Sequence, residues 1–404
     1  MTRSAHSIFI VSFAAAFTQA PAHSQSVRVT PEIAIESRVF AQDPQFDGQL
    51  DAFQAALILS GDLRWTSRDR QTRVRVEPYL RLDAEDRERS YGDIREASLG
   101  RRFSDWDVLF GVTQEFWGVA ESRNVVDIIN QFDTVEDFDQ GEKLGQPALR
   151  LGRRTAIGRF DAYYLPFFRQ QRAPGRVGRV RQDPRLDTDD VAFERGGGRW
   201  AGDVALRYTH TAGRFDIGLH AFRGTSRAPL LVPRFGPGGE IDRFTPFYQR
   251  LTQGGVDLQF TEGPWLLKVE AVGLGLGDER IVSAVAGFEY TFFDVSGSGA
   301  DVGLIGEYLY DSREALTAPP TPFDNDAFLG TRVTLNDTQD TELLAGAIID
   351  GETRAVIGTV ELQTRLGEAT LLELEGRYFD GSGDPLLDPF NRDSHLTLRL
   401  TRYF

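Results

Sequence analysis

The sequence predicts an all-β fold: a closed antiparallel transmembrane β-barrel of 16–18 strands, with 18 the best count. Three observations carry that expectation. Runs of about ten residues alternate apolar and polar side chains with a two-residue period, as strands wetted on one face and in lipid on the other require. Short turns and long loops take turns in connecting those runs. After the first two dozen residues no stretch reaches the roughly 18 consecutive apolar residues of a spanning helix, and the mean hydropathy is −0.31.

The chain opens with Arg3, an apolar core from Ile8 to Phe17, and Ala20-Pro21-Ala22-His23-Ser24. A basic start, a short greasy run and small residues form a secretory signal peptide, so residues 1–24 are set apart and 25–404 read as one barrel domain. Strands follow near 28–40, 53–66, 71–82, 92–103, 105–116, 146–157, 159–168, 200–211, 214–224, 244–261, 264–275, 280–293, 301–311, 326–336, 341–350, 354–366, 368–379 and 394–404. One set of connections is mostly short: Ser67–Arg70, Ser104-Asp105, Gly158-Arg159, Ala212–Arg214, Glu262–Pro264 and Leu366–Glu368. The opposite set includes 41–52, 83–91, 117–145, 169–199, 225–243, 312–325 and 380–393. A sandwich or propeller has no reason to sort its connections in this way.

Charge alternation assigns the faces. In 73–82 the charges Arg73, Arg75, Glu77 and Arg81 share one face. Lys268 and Glu270 oppose Trp265, Leu267, Val269 and Ala271; Glu373, Glu375 and Arg377 oppose Leu372, Leu374 and Tyr378. A lipid-facing Arg or Lys at mid-depth costs about 2–4 kcal/mol. These residues, with Arg150, Arg154 and Arg399, are therefore expected to line a wet lumen. Trp65, Trp106, Trp117, Trp200 and Trp265, with Phe103, Phe116, Tyr290, Phe292, Phe379 and Tyr403, fall near strand ends and suit interfacial girdles.

In the last run Leu396, Leu398, Leu400 and Phe404 face one way, and His395, Thr397, Arg399 and Thr401 the other. This ending resembles the terminal strand of bacterial outer-membrane β-barrels. The resemblance implies that Phe404 is part of the signal read by the barrel-assembly machinery, and that outer-membrane lipid and lipopolysaccharide surround the barrel.

Segment 117–145 holds Trp117-Gly118, the apolar Val125, Val126, Ile128, Ile129 and Phe132, and the polar Glu121, Asp127, Asn130, Asp133, Glu136 and Asp137. It is too apolar to wave in solvent, and is expected to pack on the inner wall. Here the chain resembles two groups of outer-membrane barrels. General porins fold a long third loop into the lumen as a constriction. A set of poorly characterised proteobacterial barrels carries a Gly, Trp-Gly, Asp, Asn, Asp pattern, matched by Gly111, Trp117-Gly118, Asp127, Asn130 and Asp133, with Gln131 where a Pro usually follows the Asn. The six polar residues named become constriction candidates, with wall arginines either setting a transverse field across them or pairing with them to brace the loop.

The formal charge of −15 argues against a nucleic-acid partner. No Cys is present, so no disulfide or thiolate site is available, and no metal ligand set or cofactor is expected. Arg169, Arg172, Arg176, Arg179, Arg181 and Arg185 sit in an outward loop, where they are expected to hold lipopolysaccharide phosphates, to collect anions or to remain solvated. No catalytic motif is present; His220 and His395 are the bases that a barrel enzyme acting on lipid or ester would use. The expected function is a porin-like channel for passive diffusion of small hydrophilic solutes, as monomer or homotrimer. A transporter of hydrophobic compounds using Val125–Phe132 is the first alternative and the enzyme the second.

Overall fold

The computed structural model describes residues 25–136, 141–313, 318–381 and 383–404; the expected signal peptide and Asp137 lie outside the described residues. In chain order the strands are β1 (Ser26–Phe40), β2 (Phe53–Thr66), β3 (Thr72–Asp83), β4 (Tyr91–Phe103), β5 (Trp106–Thr113), β6 (Gln146–Thr155), β7 (Gly158–Leu165), β8 (Ala192–Phe193), β9 (Asp203–Ala212), β10 (Phe215–Thr225), β11 (Leu230–Phe235), β12 (Ile241–Tyr248), β13 (Arg250–Glu262), β14 (Trp265–Leu276), β15 (Glu279–Phe292), β16 (Asp301–Asp311), β17 (Asn325–Thr334), β18 (Glu342–Asp350), β19 (Val356–Arg365), β20 (Thr370–Asp380) and β21 (His395–Tyr403). Eighteen of them form one antiparallel sheet. Its ends meet where β1 pairs with β21, from Glu32 opposite Tyr403 to Phe40 opposite His395. Closure leaves no free sheet edge along the paired span of the wall, which a wall in lipid requires.

The faces divide as the alternation predicts. Leu396, Leu398, Leu400 and Phe404 are exposed on the outer wall, as are Leu149, Leu151, Leu267 and Val269, whereas Glu36, Arg81, Arg207, Asp257, Lys268, Glu270 and Glu307 are buried inside. Two-residue turns join several strands at one end. Gly213 (φ +65°) and Gly263 (φ +55°) supply the left-handed backbone that such tight reversals need. Long loops gather at the other end.

Three expectations need correction. The run 244–261 is two elements: β12 leaves the barrel, and only β13 belongs to the wall. The expected loops 169–199 and 225–243 contribute β8, β11 and part of β12 to a separate three-stranded sheet at the long-loop end. Trp117 and Phe379 join no girdle; they are 4% and 3% exposed, inside the barrel. Alternation alone could not tell a wall strand from an amphipathic hairpin packed above it, and both half-bury one face.

A β-bulge shifts the β3–β4 register between Glu77 and Pro78, so Glu77 lies opposite Glu96 and Pro78 opposite Ile94. The extra residue puts the consecutive charges Arg95 and Glu96 both on the buried side.

Because Val269 faces outward from the middle of β14, Val269→Arg should lower stability by about 2–4 kcal/mol in urea titrations of vesicle-inserted protein. The lumen-facing Glu373→Gln should change it far less. Equal effects would contradict the face assignment.

Candidate functional site

The described residues of segment 117–145, 117–136 and 141–145, run into the barrel and are tied to two sectors of its wall. On one side Glu270 of β14 accepts the backbone N–H groups of Val119 (2.6 Å), Ala120 (2.9 Å) and Val126 (3.3 Å). Glu307 of β16 accepts those of Glu121 and Ser122 at 2.8 Å and the Ser122 hydroxyl at 2.6 Å. Glu121 completes this anchor, meeting Arg332 at 2.6 Å and Lys268 at 3.6 Å. A carboxylate that receives several N–H groups can be buried without a counter-charge, and so suits a loop whose amides have left the sheet.

The second anchor lies at the closure seam. Glu136 meets Arg81 at 2.8 Å and Arg399 at 3.6 Å, and accepts from the hydroxyls of Tyr91 (2.8 Å) and Tyr79. Asp133 accepts from Tyr91 at 2.5 Å and pairs with Arg95 at 3.3 Å. Glu36 of β1 binds Arg81, and also Arg399 at 2.7 Å and Arg89 at 3.3 Å. Burial opposes ionisation of Glu136, but Arg81, Arg89 and Arg399 hold its carboxyl below the usual range. Burial raises that of Asp133.

Between the anchors the loop is packed. Val126 and Ile129 are fully buried in a cluster with Tyr163, Phe222, Leu251 and Val272. Trp117 lies against Tyr163 and His220, with Arg207 over its ring at 5.0 Å. Asn130 joins the two ends of the loop: its amide donates to the carbonyls of Thr113 and Leu144, both at 2.9 Å, and its carbonyl accepts from Glu115 N–H at 2.8 Å. Gln131 donates to Arg227 O at 2.9 Å, which ties the turn to the next loop where Pro has no side-chain donor. Gly118 has φ +143°, and a Cβ there would lie 2.0 Å from Asn124 Oδ1. The residues of the Trp-Gly, Asp, Asn, Asp pattern thus hold the loop in place.

The expected transverse field takes another form. Glu121, Asp133 and Glu136 are engaged with the wall, as in the bracing alternative, whereas Asp127 pairs with Lys143 within the loop itself. Arg81 and Glu270, expected to line the pore, are fully buried in the anchors, and Lys268 is nearly so. Arg75 is bound by Asp62, Glu77 and Glu96, and Arg150 by Glu115 at 2.9 Å. Arg73 and Arg154 line a cavity of about 900 Å³ at the short-turn end, together with Arg102, Arg150 and Arg159. Glu373, Glu375 and Arg399 line a cavity of about 130 Å³ against Glu136, and Arg377 is buried beside Glu361 and Glu375. A basic sector of β3–β6 is therefore separated around the ring from a mainly acidic sector of β19 and β20.

The arginine-rich loop also departs from expectation. Arg179 is buried on Asp393 (2.6 Å) and donates to the carbonyls of Gln42, Leu50, Asp51 and Arg392. Arg169 meets Asp93 at 2.9 Å, Arg181 meets Asp183 at 2.9 Å, and Arg172 stacks on Tyr91 at 3.7 Å. Arg169, Arg172 and Arg179 thus fix the loop across the barrel mouth instead of projecting from it, and Arg181 is held within the loop. His220 lies beside Trp117, with its Nε2 2.9 Å from Gln253; His395 Nδ1 lies 2.8 Å from Asp393 O. Glu307 and Arg332 are further anchors that the alternation of faces could have pointed to, since each is a charge within a wall strand and so belongs on the lumen side. Phe404 is exposed on the outer wall, and its N–H donates to Pro31 O at 3.0 Å.

Comparison with models of known families finds no match, nor does comparison with curated protein sequences. Solved structures do match in fold. A BenF-like porin from Pseudomonas fluorescens Pf-5 aligns with a TM-score of 0.54 at 10% identity, over 95% of this chain and 98% of that one. OccK11 of Pseudomonas aeruginosa aligns at 0.53 and 10% identity, over 94% and 96%. Wzi, an Escherichia coli outer-membrane protein described as a carbohydrate-binding β-barrel involved in group 1 capsule assembly, aligns at 0.51 and 10% identity, over 92% and 84%. The chain has the fold of porin-type outer-membrane barrels.

Two predictions concern the loop. Glu136→Ala leaves Arg81 and Arg399 with Glu36 as their one close carboxylate among the described residues and should cost up to about 3–5 kcal/mol, read as a lower urea midpoint and faster proteolysis within 117–145. Asp127 pairs with Lys143, yet burial pushes its carboxyl up to about 6. Its ordinary value is near 4, so the folded form binds the proton more tightly. The stability this group contributes should rise as pH falls from about 6 to about 4. Asp127→Asn should flatten the stability profile in that window, and an unchanged profile would refute the assignment.

Proposed function

We propose that this chain is an outer-membrane channel through which small hydrophilic solutes diffuse, with segment 117–145 as its constriction and the long loops outside the cell. The observation that carries this reading is the double anchoring of the loop, on β14–β17 and at the β1–β21 seam, which holds it rigidly inside the lumen. A plug meant to leave would not be bound by buried amide–carboxylate bonds to one sector and buried ion pairs to the other.

The periplasmic vestibule favours anions. Its wall presents Arg73, Arg102 and Arg154, none in an ion pair among the described residues, around a space of about 900 Å³. Glu96 and Asp107 on the same lining are held in ion pairs, and a concave surface with an excess of one sign of charge concentrates counter-ions even on a chain whose net charge is −15.

The hydrophobic-transporter reading changes place. Val126 and Ile129 are sealed in the core, and Val125, Ile128 and Phe132 border a cavity of only about 170 Å³. Apolar surface reaches a cavity of about 310 Å³ at the mouth instead, where Leu231, Ile348, Ile357, Leu386, Leu387 and Phe390 face Arg123 and Arg185. That lining suits solutes with an apolar body and an anionic end.

Recordings in planar bilayers should show ohmic steps with anion preference, and Arg73→Glu with Arg154→Glu should move the reversal potential toward cation preference. No conductance would remove the channel, and unchanged selectivity the vestibule's role. If apolar anions use the mouth, Leu387→Asp should weaken block by benzoate at least fivefold while leaving chloride conductance unchanged.

A further inference from the structure

The outer wall carries a trough that neither the channel nor the barrel's folding requires. It holds about 900 Å³ at the long-loop end of β10, β13, β14 and β15. Neighbouring outward positions across these strands form rows: Arg223 lies opposite Thr252, Thr252 opposite Gly275 and Gly275 opposite Arg280. In the next row inward Ala221 lies opposite Gly254, Gly254 opposite Gly273 and Gly273 opposite Val282. Nearer mid-strand the outer wall returns to bulky side chains, including Leu219 and Val269.

These glycines serve no local need. None has a left-handed backbone, and a Cβ on Gly273 would meet nothing within 4 Å. A Cβ on Gly254 would lie 3.8 Å from His220 O, and one on Gly275 3.6 Å from Arg280, both ordinary contacts. Glycine within a strand weakens it, and where neither turn nor packing asks for glycine it marks the close approach of something else.

The rim is basic and uncompensated. Arg223, Arg250 and Arg280 all line the trough, and none is in an ion pair among the described residues. Among the described residues the Arg280 side chain donates only to the carbonyls of Gly277 and Glu279. Glu194 is the one carboxylate on the trough's lining, and it accepts the backbone N–H of Arg250 at 2.6 Å. Most lumen arginines, by contrast, are bound to carboxylates. Guanidinium groups on a lipid-facing wall need an anionic partner at the membrane surface, and phosphate is the group their planar fork fits best.

We infer that this trough binds a phosphorylated, multiply acylated lipid of the outer leaflet, lipopolysaccharide, with its phosphates between Arg223, Arg250 and Arg280 and an acyl chain along the glycine floor. The inference rests on the outer-membrane placement proposed above. It moves lipid recognition from the arginine-rich loop, where Arg169, Arg172, Arg179 and Arg181 are occupied, to the wall.

The test is lipopolysaccharide retained per barrel after mild-detergent extraction, measured as phosphate and hydroxy-acyl chains. Arg223→Glu with Arg280→Glu should lower retention at least fivefold. Gly273→Leu, which fills the trough without touching the core, should do the same. Unchanged retention in either variant overturns the site, as does a wild-type trimer that Gly273→Leu turns into monomers with retention intact, which would make the trough a contact between copies. Should the arginine variants fail to insert, wild-type protein is titrated with lipopolysaccharide and with phosphatidylglycerol. A rise in unfolding temperature with the first alone supports the site, and equal rises overturn it. Fractionation separates the two levels: wild-type protein absent from the outer membrane defeats the placement, whereas protein present there without selective retention defeats only the trough.

Discussion

Wall carboxylates that receive the backbone N–H groups of a loop are the interaction on which the interior depends. Glu270 and Glu307 accept five amides of segment 117–145 between them. A loop that enters a barrel leaves the sheet's hydrogen-bond ladder, and its amides need acceptors that water would otherwise supply. Two glutamates placed on the lumen face meet that need, and the apolar side chains of the loop can then pack against Tyr163, Phe222 and Val272. Remove the acceptors, and the same hydrophobic contacts would bury unsatisfied backbone.

The seam anchor works by charge rather than by amides. Arg81 has no exposed surface, and a lone guanidinium there would be expensive; Glu36 and Glu136 flank it, one from the wall and one from the loop. The network therefore joins β1, β3, β21 and the loop in one electrostatic unit. The β4 bulge adds to it by turning Arg95 inward immediately before Glu96, so that a single strand serves Asp133 of the loop and Arg75 of the wall.

Much of this was legible in the sequence. The barrel and its 18 strands follow from a two-residue period broken by turn residues, because lipid and water impose that period on each spanning strand. Loop 117–145 was legible from its apolar content and from Trp117-Gly118, Asn130 and Asp133. What escaped depended on distance along the chain. Arg179 looks like a solvated loop residue because Asp393, its partner, lies 214 residues away. Glu121 and Arg332 are separated by 211. Composition tells that such groups exist, but only closure of the ring determines which pair. Strand β12 escaped for another reason: its alternation is genuine but serves a small sheet above the barrel.

The seat of Arg179 has a consequence for biogenesis. Its acceptors come from Gln42, Leu50 and Asp51 after the first strand and from Arg392 and Asp393 just before the last. That seat cannot exist until the final strand has zipped onto the first, so the cover over the mouth is a late structure, completed by ring closure. An unfinished barrel would carry the arginine-rich segment unlatched, and the state of the lid would report, from outside the cell, whether the wall beneath it is whole.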